Sequence, residues 1–200
     1  MKRIALLLIA LLLTVALLPS CSSGPDPLEI TEEEALRVLK DLVPRSYDLN
    51  VIFFGEGLPL DGMPETKPTT LQYLPVAEGS PYTKISELKK AAEAVYSSRY
   101  LTGVYVGAFE GVSAEEADGL LDTSVSPRYS EYGGKLHGDA SAEAKDIRGR
   151  LEVLSATVGR CTPEYVTTRV TCREEDGDTV EVTILLTLEN GVWLLDSPTY

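Results

Sequence analysis

The N-terminal half of the chain has apolar positions at the spacing of amphipathic helices. A first helix is predicted to begin after Thr31, which forms a T-x-x-E capping box with Glu34. Pro44 is predicted to end this helix, and the apolar residues 49–54 form a second short element whose period fits either a helix or a strand. A further helix is predicted to begin near Ser86, with an apolar face made of Leu88, Ala91, Ala92, Val95 and Tyr96.

From Tyr129 onward the pattern is typical of β-strands. Gly133-Gly134 predicts a tight hairpin turn, and Asp176-Gly177 and Asn190-Gly191 predict two more. Alternating or continuous apolar runs predict four strands after the first hairpin, over 151–158, 165–173, 179–188 and 192–195. Helices followed by an antiparallel meander indicate an α+β fold, in which N-terminal helices pack on one face of a curved antiparallel sheet.

The first 20 residues have the pattern of an export signal. Lys2 and Arg3 precede an almost unbroken apolar run over residues 4–18, and Ser20 supplies the small residue of a cleavage site. Because a cysteine follows directly, the segment resembles a bacterial lipoprotein signal, in which Cys21 becomes the lipid-modified N-terminus. An ordinary secretory signal is the alternative, and the run falls short of the ~20 residues that a spanning helix needs.

This signal defines the predicted domain organisation. Residues 1–20 are the lipoprotein signal peptide, and residues 21–30, which contain Ser, Gly and Pro, form a flexible tether. Residues 31–200 form a single domain, since their number suits one hydrophobic core. The predicted location is the extracytoplasmic face of the bacterial cell membrane, where the lipid anchor holds the protein.

The chain is strongly acidic, with 18 Lys and Arg against 31 Asp and Glu and a net charge of −13. Removal of residues 1–20, which include Lys2 and Arg3, lowers the net charge to −15. Such a charge repels nucleic acid, so we exclude nucleic-acid binding. Cationic proteins, cell-wall material and small ligands remain as partners, and the acidity can equally serve solubility alone.

Two cysteines remain after Cys21. Export permits a disulfide, and two leftover thiols favour pairing, so we predict a bond between Cys161 and Cys172. The alternative is two free thiols, packed as small hydrophobic side chains.

Few residues suggest catalysis. The single histidine, His137, follows the predicted Gly133-Gly134 turn, where an exposed histidine is expected. Ser86 and Lys89 match the S-x-x-K motif of penicillin-binding enzymes, but a helix cap explains Ser86, and neither S-D-N nor K-T-G follows. The sequence has no phosphate-binding loop or zinc motif, so we predict no catalytic residues, no cofactor and no metal site.

A candidate binding surface is predicted where aromatic residues adjoin glycines. It comprises the segment Phe54, Gly55, Glu56 and Gly57, together with Tyr129 and Tyr132. Glycines there would let a loop project, and exposed aromatic rings would supply anchor contacts. The competing interpretation is that Phe53 and Phe54 close the core beneath the sheet.

Three short segments together carry a resemblance to known proteins. They read SELKK at 86–90, YSEYGGKL at 129–136 and GVWLLDSPTY at 191–200. The arrangement resembles uncharacterised lipoproteins of Gram-positive, clostridia-like bacteria, and more loosely the secreted inhibitors of cell-wall DL-endopeptidases. The tryptophan on the last strand is similar to cystatin-like and NTF2-like domains.

The resemblance implies an exported, non-catalytic binding protein that inhibits a cell-wall peptidase, and it carries over no functional residue. Two alternatives remain open. One is a small-ligand-binding NTF2-like module, and the other is a hydrolase or isomerase with a buried carboxylate site.

Overall fold

Helices precede two antiparallel sheets in the structure, a computed structural model that describes residues 26–112 and 125–200. The predicted signal peptide and Cys21 lie outside the described residues. The α+β class is confirmed. The elements, in chain order, are α1 (Glu32–Phe53), β1 (Tyr73–Pro75), α2 (Ile85–Glu93), α3 (Ser98–Tyr105) with a π-helical continuation (Val106–Glu110), β2 (Tyr129–Tyr132), β3 (Lys135–Asp139), β4 (Glu152–Cys161), β5 (Val166–Arg173), β6 (Thr179–Glu189) and β7 (Val192–Leu195).

Helix α1 begins as predicted and is longer than predicted. Thr31 is the N-cap, and its side chain accepts a hydrogen bond from the Glu34 N–H at 3.2 Å. The prediction that Pro44 ends the helix is wrong, because the helix continues for nine more residues to Phe53. A mid-helix proline costs about 3 kcal/mol. Burial of Leu49, Ile52 and Phe53 beyond it contributes roughly 1.5–3 kcal/mol each and outweighs that cost.

The last four strands form one antiparallel sheet in the order β4-β5-β6-β7. Both predicted turns are confirmed. Gly177 has a φ of +95°, and Asn190 and Gly191 have φ values of +52° and +79°, the left-handed values of a tight hairpin turn. The 95–97 segment covers the β7 edge, where the Ser97 N–H donates to the Leu195 carbonyl at 2.8 Å.

The first hairpin belongs to a separate sheet. Strands β2 and β3 pair as predicted across Gly133 and Gly134, whose φ values are +58° and +77°. Strand β1 then adds to the other side of β3, giving the order β1-β3-β2. The prediction of one curved sheet is therefore wrong, since the strands divide into a three-stranded and a four-stranded sheet.

The inner face of the four-stranded sheet is filled with apolar side chains. Helix α1 packs against β4, and its residues Leu39 and Val43 share one core cluster with the sheet. The residues of this face that are completely inaccessible to solvent include Val166, Val170, Ile184 and Leu186. In the described residues, this face therefore forms a packed core and not an open cavity.

The predicted disulfide does not form, because the two cysteines lie at opposite ends of one hairpin. Cys161 pairs with Val166, whereas Cys172 pairs with Val153. The two pairs are six residues apart along β5, a distance of about 20 Å. A disulfide needs a Cα separation of about 5.5 Å. Both thiols are free, Cys161 half-buried and Cys172 buried. Burial raises the pKa of the Cys172 thiol.

The end of the predicted tether is fixed to the domain. The Leu28 N–H donates to the Thr162 carbonyl at 2.8 Å, and Ile30 packs against the core. The ordered domain thus begins before residue 31. Among the described helices, none has the length and apolar content to cross a bilayer.

Candidate functional site

The six residues of the predicted binding surface divide between core and exterior. Tyr129 is only 1% exposed. Its hydroxyl donates to the Ile52 carbonyl at 2.9 Å and accepts from the Leu58 N–H at 3.0 Å. Burial raises the pKa of the Tyr129 phenol. Tyr129 is therefore a core residue that fastens β2 to the end of α1, and its assignment to a surface is wrong.

The glycines after α1 serve close packing rather than a projecting loop. Arg128 donates from its guanidinium group to the Gly55 carbonyl. Gly57 has a φ of +83°, and a Cβ there would lie 2.8 Å from Arg128 and 3.0 Å from the Tyr129 hydroxyl. The structure thus brings this segment against Tyr129, as the sequence grouping implied, but inside the fold. Only Glu56 of this segment is exposed.

Phe54 is half-buried at the end of α1. Its ring centroid lies 4.6 Å from that of Tyr200, and the Lys145 ammonium lies 5.2 Å from the Phe54 centroid. Both neighbours restrict access to the ring. Phe54 thus closes the end of the core, as the competing interpretation of the sequence held.

Tyr132 is the member of the predicted set that stands out from the fold, with 53% of its surface exposed. Its ring contacts Tyr73 edge-on, with centroids 5.8 Å apart, and His137 edge-on at 5.3 Å. We call Tyr73, Tyr132 and His137 the aromatic patch. They come from β1, β2 and β3, so the three-stranded sheet assembles the patch from three strands.

The strand register explains why the patch faces outward. Directly paired residues of antiparallel strands share one face of a sheet, and successive residues alternate between faces. Leu136 and Gly138 of β3 face inward and are buried, so His137 between them faces outward. Tyr73, paired with Asp139, and Tyr132, paired with Lys135, lie on the same outer face.

Hydrogen bonds hold the patch in place. The Tyr73 hydroxyl donates to the Pro127 carbonyl, and burial is the main cause that raises the pKa of Tyr73. Glu131 accepts from the Ile85 N–H at 2.7 Å, which ties β2 to the start of α2. At the end of β3, Asp139 accepts from the Ser141 N–H at 2.8 Å. The rings are therefore presented on a rigid base.

A groove of about 310 Å³ adjoins the patch. Pro75, Val76 and Ala77 give it apolar walls, and its charged lining residues are Asp61, Glu78 and Lys135, so acidic residues outnumber basic ones by two to one. Pro75 of the groove lining is paired with His137 of the patch across β1 and β3, so groove and patch are adjacent. An aliphatic stem that ends in a cation fits this combination of walls and charge.

A larger depression of about 530 Å³ lies elsewhere, between residues 146–149 and the β5–β6 turn. Its lining includes the acidic residues Asp146, Glu174, Glu175 and Asp176, and Glu174 is already paired with Arg148 at 3.4 Å. No residue of the predicted binding surface lines it. We therefore place the candidate site at the aromatic patch and its groove.

The described residues include no cluster of three or more His, Cys, Asp or Glu side chains that could bind a metal ion. The prediction that Ser86 caps α2 is wrong. The N-cap is Lys84, and Ser86 is exposed within the first turn of the helix. Lys89 lies with its ammonium 4.6 Å from the centre of the Tyr105 ring. The S-x-x-K match is thus a solvent-facing helix turn with its lysine engaged by an aromatic ring.

The sequence interpretation missed Tyr73 and did not connect His137 with Tyr132. Tyr73 begins the short strand β1, whose pairing with β3 spans more than 60 residues, so no local sequence pattern places this tyrosine beside His137. Compared with known proteins, the chain matches none of the protein families and has no significantly similar relative among curated proteins.

Proposed function

We propose that the protein is an exported, lipid-anchored and non-catalytic binding protein that recognises a basic protein partner at the cell surface. The observation that carries the proposal is the aromatic patch beside a groove lined by two acidic residues and one basic residue, on a fold whose interior is filled. Tyrosine is enriched among the residues that dominate binding energy at protein interfaces.

Export and anchoring rest on the sequence. The apolar run over residues 4–18 and the following Cys21 support a lipoprotein signal, and the proposed location is the extracytoplasmic face of the membrane. At the finer level of fold, α1 on a four-stranded meander supports a cystatin-like or NTF2-like domain, in line with the resemblance noted above.

The filled interior favours a protein partner over a small ligand. An NTF2-like binding module would hold its ligand inside the sheet, where Ile184 and Leu186 have no solvent access. A hydrolase or isomerase would need a free carboxylate there. The buried carboxylate of Asp196 is already engaged, since it accepts from the Ser97 hydroxyl and pairs with Arg99. It fastens the start of α3 to the end of β7.

Charge indicates the kind of partner. The net charge of −15 after signal removal steers basic proteins toward the domain and speeds their association. Asp61 and Glu78 then offer carboxylates to a lysine or arginine that enters the groove. Among cell-surface proteins, we propose a basic cell-wall peptidase as the target, with inhibition as the outcome of binding.

Purified protein should be titrated against basic cell-wall peptidases of the producing organism, with binding and cleavage measured together at about 0.15 M salt. Tyr132→Ala should weaken binding by roughly 10-fold to 30-fold, the usual effect of truncating an aromatic anchor. Val192→Ala is the matched control, because Val192 is 57% exposed on the other sheet. It should bind like the native protein.

Charge variants test the groove. Asp61→Asn combined with Glu78→Gln should slow association and reduce its salt dependence, while dissociation changes less. Absence of binding at a large molar excess would refute the proposal. Equal losses in Tyr132→Ala and Val192→Ala would refute the site and leave the binding function standing.

A further inference from the structure

The tether meets the domain at a defined point. Leu28 is hydrogen-bonded to Thr162 at the β4–β5 turn. Cys21 precedes Leu28 by seven residues, and a fully extended chain covers at most about 25 Å over that span. A lipid on Cys21 would therefore keep the β4–β5 turn within about 25 Å of the bilayer surface.

Helix α1 leads away from this point. It starts at the Thr31 cap, three residues after Leu28, and has 22 residues. At 1.5 Å per residue it is about 33 Å long. The carbonyl of Ile52, near its far end, accepts the hydrogen bond from Tyr129 at the start of β2. The Ile52 carbonyl lies about 30 Å from the start of α1, and β2 begins one tyrosine side chain away from it, near the far end of the helix.

Tyr132 follows Tyr129 by three residues, which adds or removes at most about 10 Å. The aromatic patch thus lies near the far end of α1, away from the tethered start of the helix. The whole domain carries a net charge of −15 once residues 1–20 are removed. Anionic lipid headgroups repel such a charge, which disfavours a domain lying flat on the membrane.

We infer that the aromatic patch is the membrane-distal end of the anchored domain, and that its partner is a wall-bound or soluble protein beyond the bilayer surface. This inference rests on the proposed function, because it needs the lipid on Cys21. It adds that the patch does not bind lipid, although exposed tyrosines are also common at membrane interfaces.

The test uses the full lipidated protein reconstituted into phosphatidylglycerol–cardiolipin vesicles that carry an energy acceptor on some headgroups. Cys161 is half-buried at the tethered end and serves as the natural attachment site for a donor dye, whereas Cys172 is buried and stays unlabelled in the native state. A second protein carries the dye at the exposed position Lys135, as Lys135→Cys combined with Cys161→Ser.

Energy transfer to the vesicle should be strong from position 161 and several-fold weaker from position 135. Equal or reversed transfer overturns the inference. If reversed transfer occurs while the protein still binds a peptidase in solution, only the orientation is wrong. An unmodified N-terminal mass, with no retention on membranes, overturns both the anchor in the proposed function and this inference.

Discussion

Replacement of Thr199 by valine should destabilise the domain out of proportion to the atoms removed. Its hydroxyl accepts from the Asn50 amide at 2.9 Å and lies 2.6 Å from the Ser46 hydroxyl. Ser46 donates to the Val43 carbonyl at 2.7 Å, and Tyr96 donates to the Asn50 side-chain oxygen at 2.7 Å. These hydrogen bonds form one connected network. Because Ser46 donates to the Val43 carbonyl, the Thr199 hydroxyl donates to Ser46 and accepts from Asn50.

Valine keeps the shape of threonine and removes the central hydroxyl. Ser46 and Asn50 are 0% and 2% exposed, so neither can replace the lost partner with water. A buried polar group left without a partner costs about 1–3 kcal/mol, and we expect a total loss of about 2–4 kcal/mol for Thr199→Val. Thr199→Ser keeps the hydroxyl and loses one methyl group, which costs about 0.8 kcal/mol.

Urea unfolding followed by circular dichroism measures both free energies of unfolding. Thr199→Val should lower the midpoint without changing the slope, and should lower the melting temperature by about 4–16 °C. Combining it with Ser46→Ala should cost less than the sum of the two single changes, since both remove the same hydrogen bond. Equal stability of the valine and serine variants would refute the network.

Three further predictions follow from the packing. A thiol reagent should modify Cys161 in the native protein and Cys172 only after unfolding; denatured, unreduced protein without free thiols would contradict the register of β4 and β5. Burial raises the pKa of Tyr96 to about 12, so its contribution to stability is complete below pH 10 and is lost as the pH rises from 10 to 12. This loss amounts to about 3 kcal/mol, and Tyr96→Phe should reduce the alkaline slope of the unfolding free energy; an unchanged slope would show that Tyr96 is not the cause. Gly57→Ala should cost more than Gly79→Ala, because both glycines have positive φ but only Gly57 faces a close neighbour; equal costs in thermal melts would exclude the contact with Arg128.

Elements specified by local chemistry were predictable from the sequence. The Thr31 cap and the turns at Gly133-Gly134 and Asn190-Gly191 each depend on a few adjacent residues, and all three are confirmed. The four strands after residue 150 lie within a few residues of their predicted bounds for the same reason. Neighbouring hairpins fix their own register, so no distant contact was needed to find them.

Features that depend on distant contacts were not predictable. Helix α1 continues past Pro44 only because the residues after the proline are buried by elements far along the chain. The three-stranded sheet is completed by β1 pairing with β3, more than 60 residues away. The cysteine prediction failed because sequence proximity does not show which residues face each other across a hairpin.

The candidate site shows how one strand can contribute to both core and surface. Tyr129 and Tyr132 are three residues apart, and an odd separation in a strand places side chains on opposite faces. The two-residue period of the strand therefore places Tyr129 in the core, where it is hydrogen-bonded to α1, and Tyr132 on the exposed face in the aromatic patch. A single strand thus joins the patch to the end of the longest helix. Because Tyr129 fixes β2 to α1, Tyr132 on the opposite face gains a fixed position and loses little conformational entropy when a partner binds, which is the property that makes an exposed aromatic residue an effective anchor.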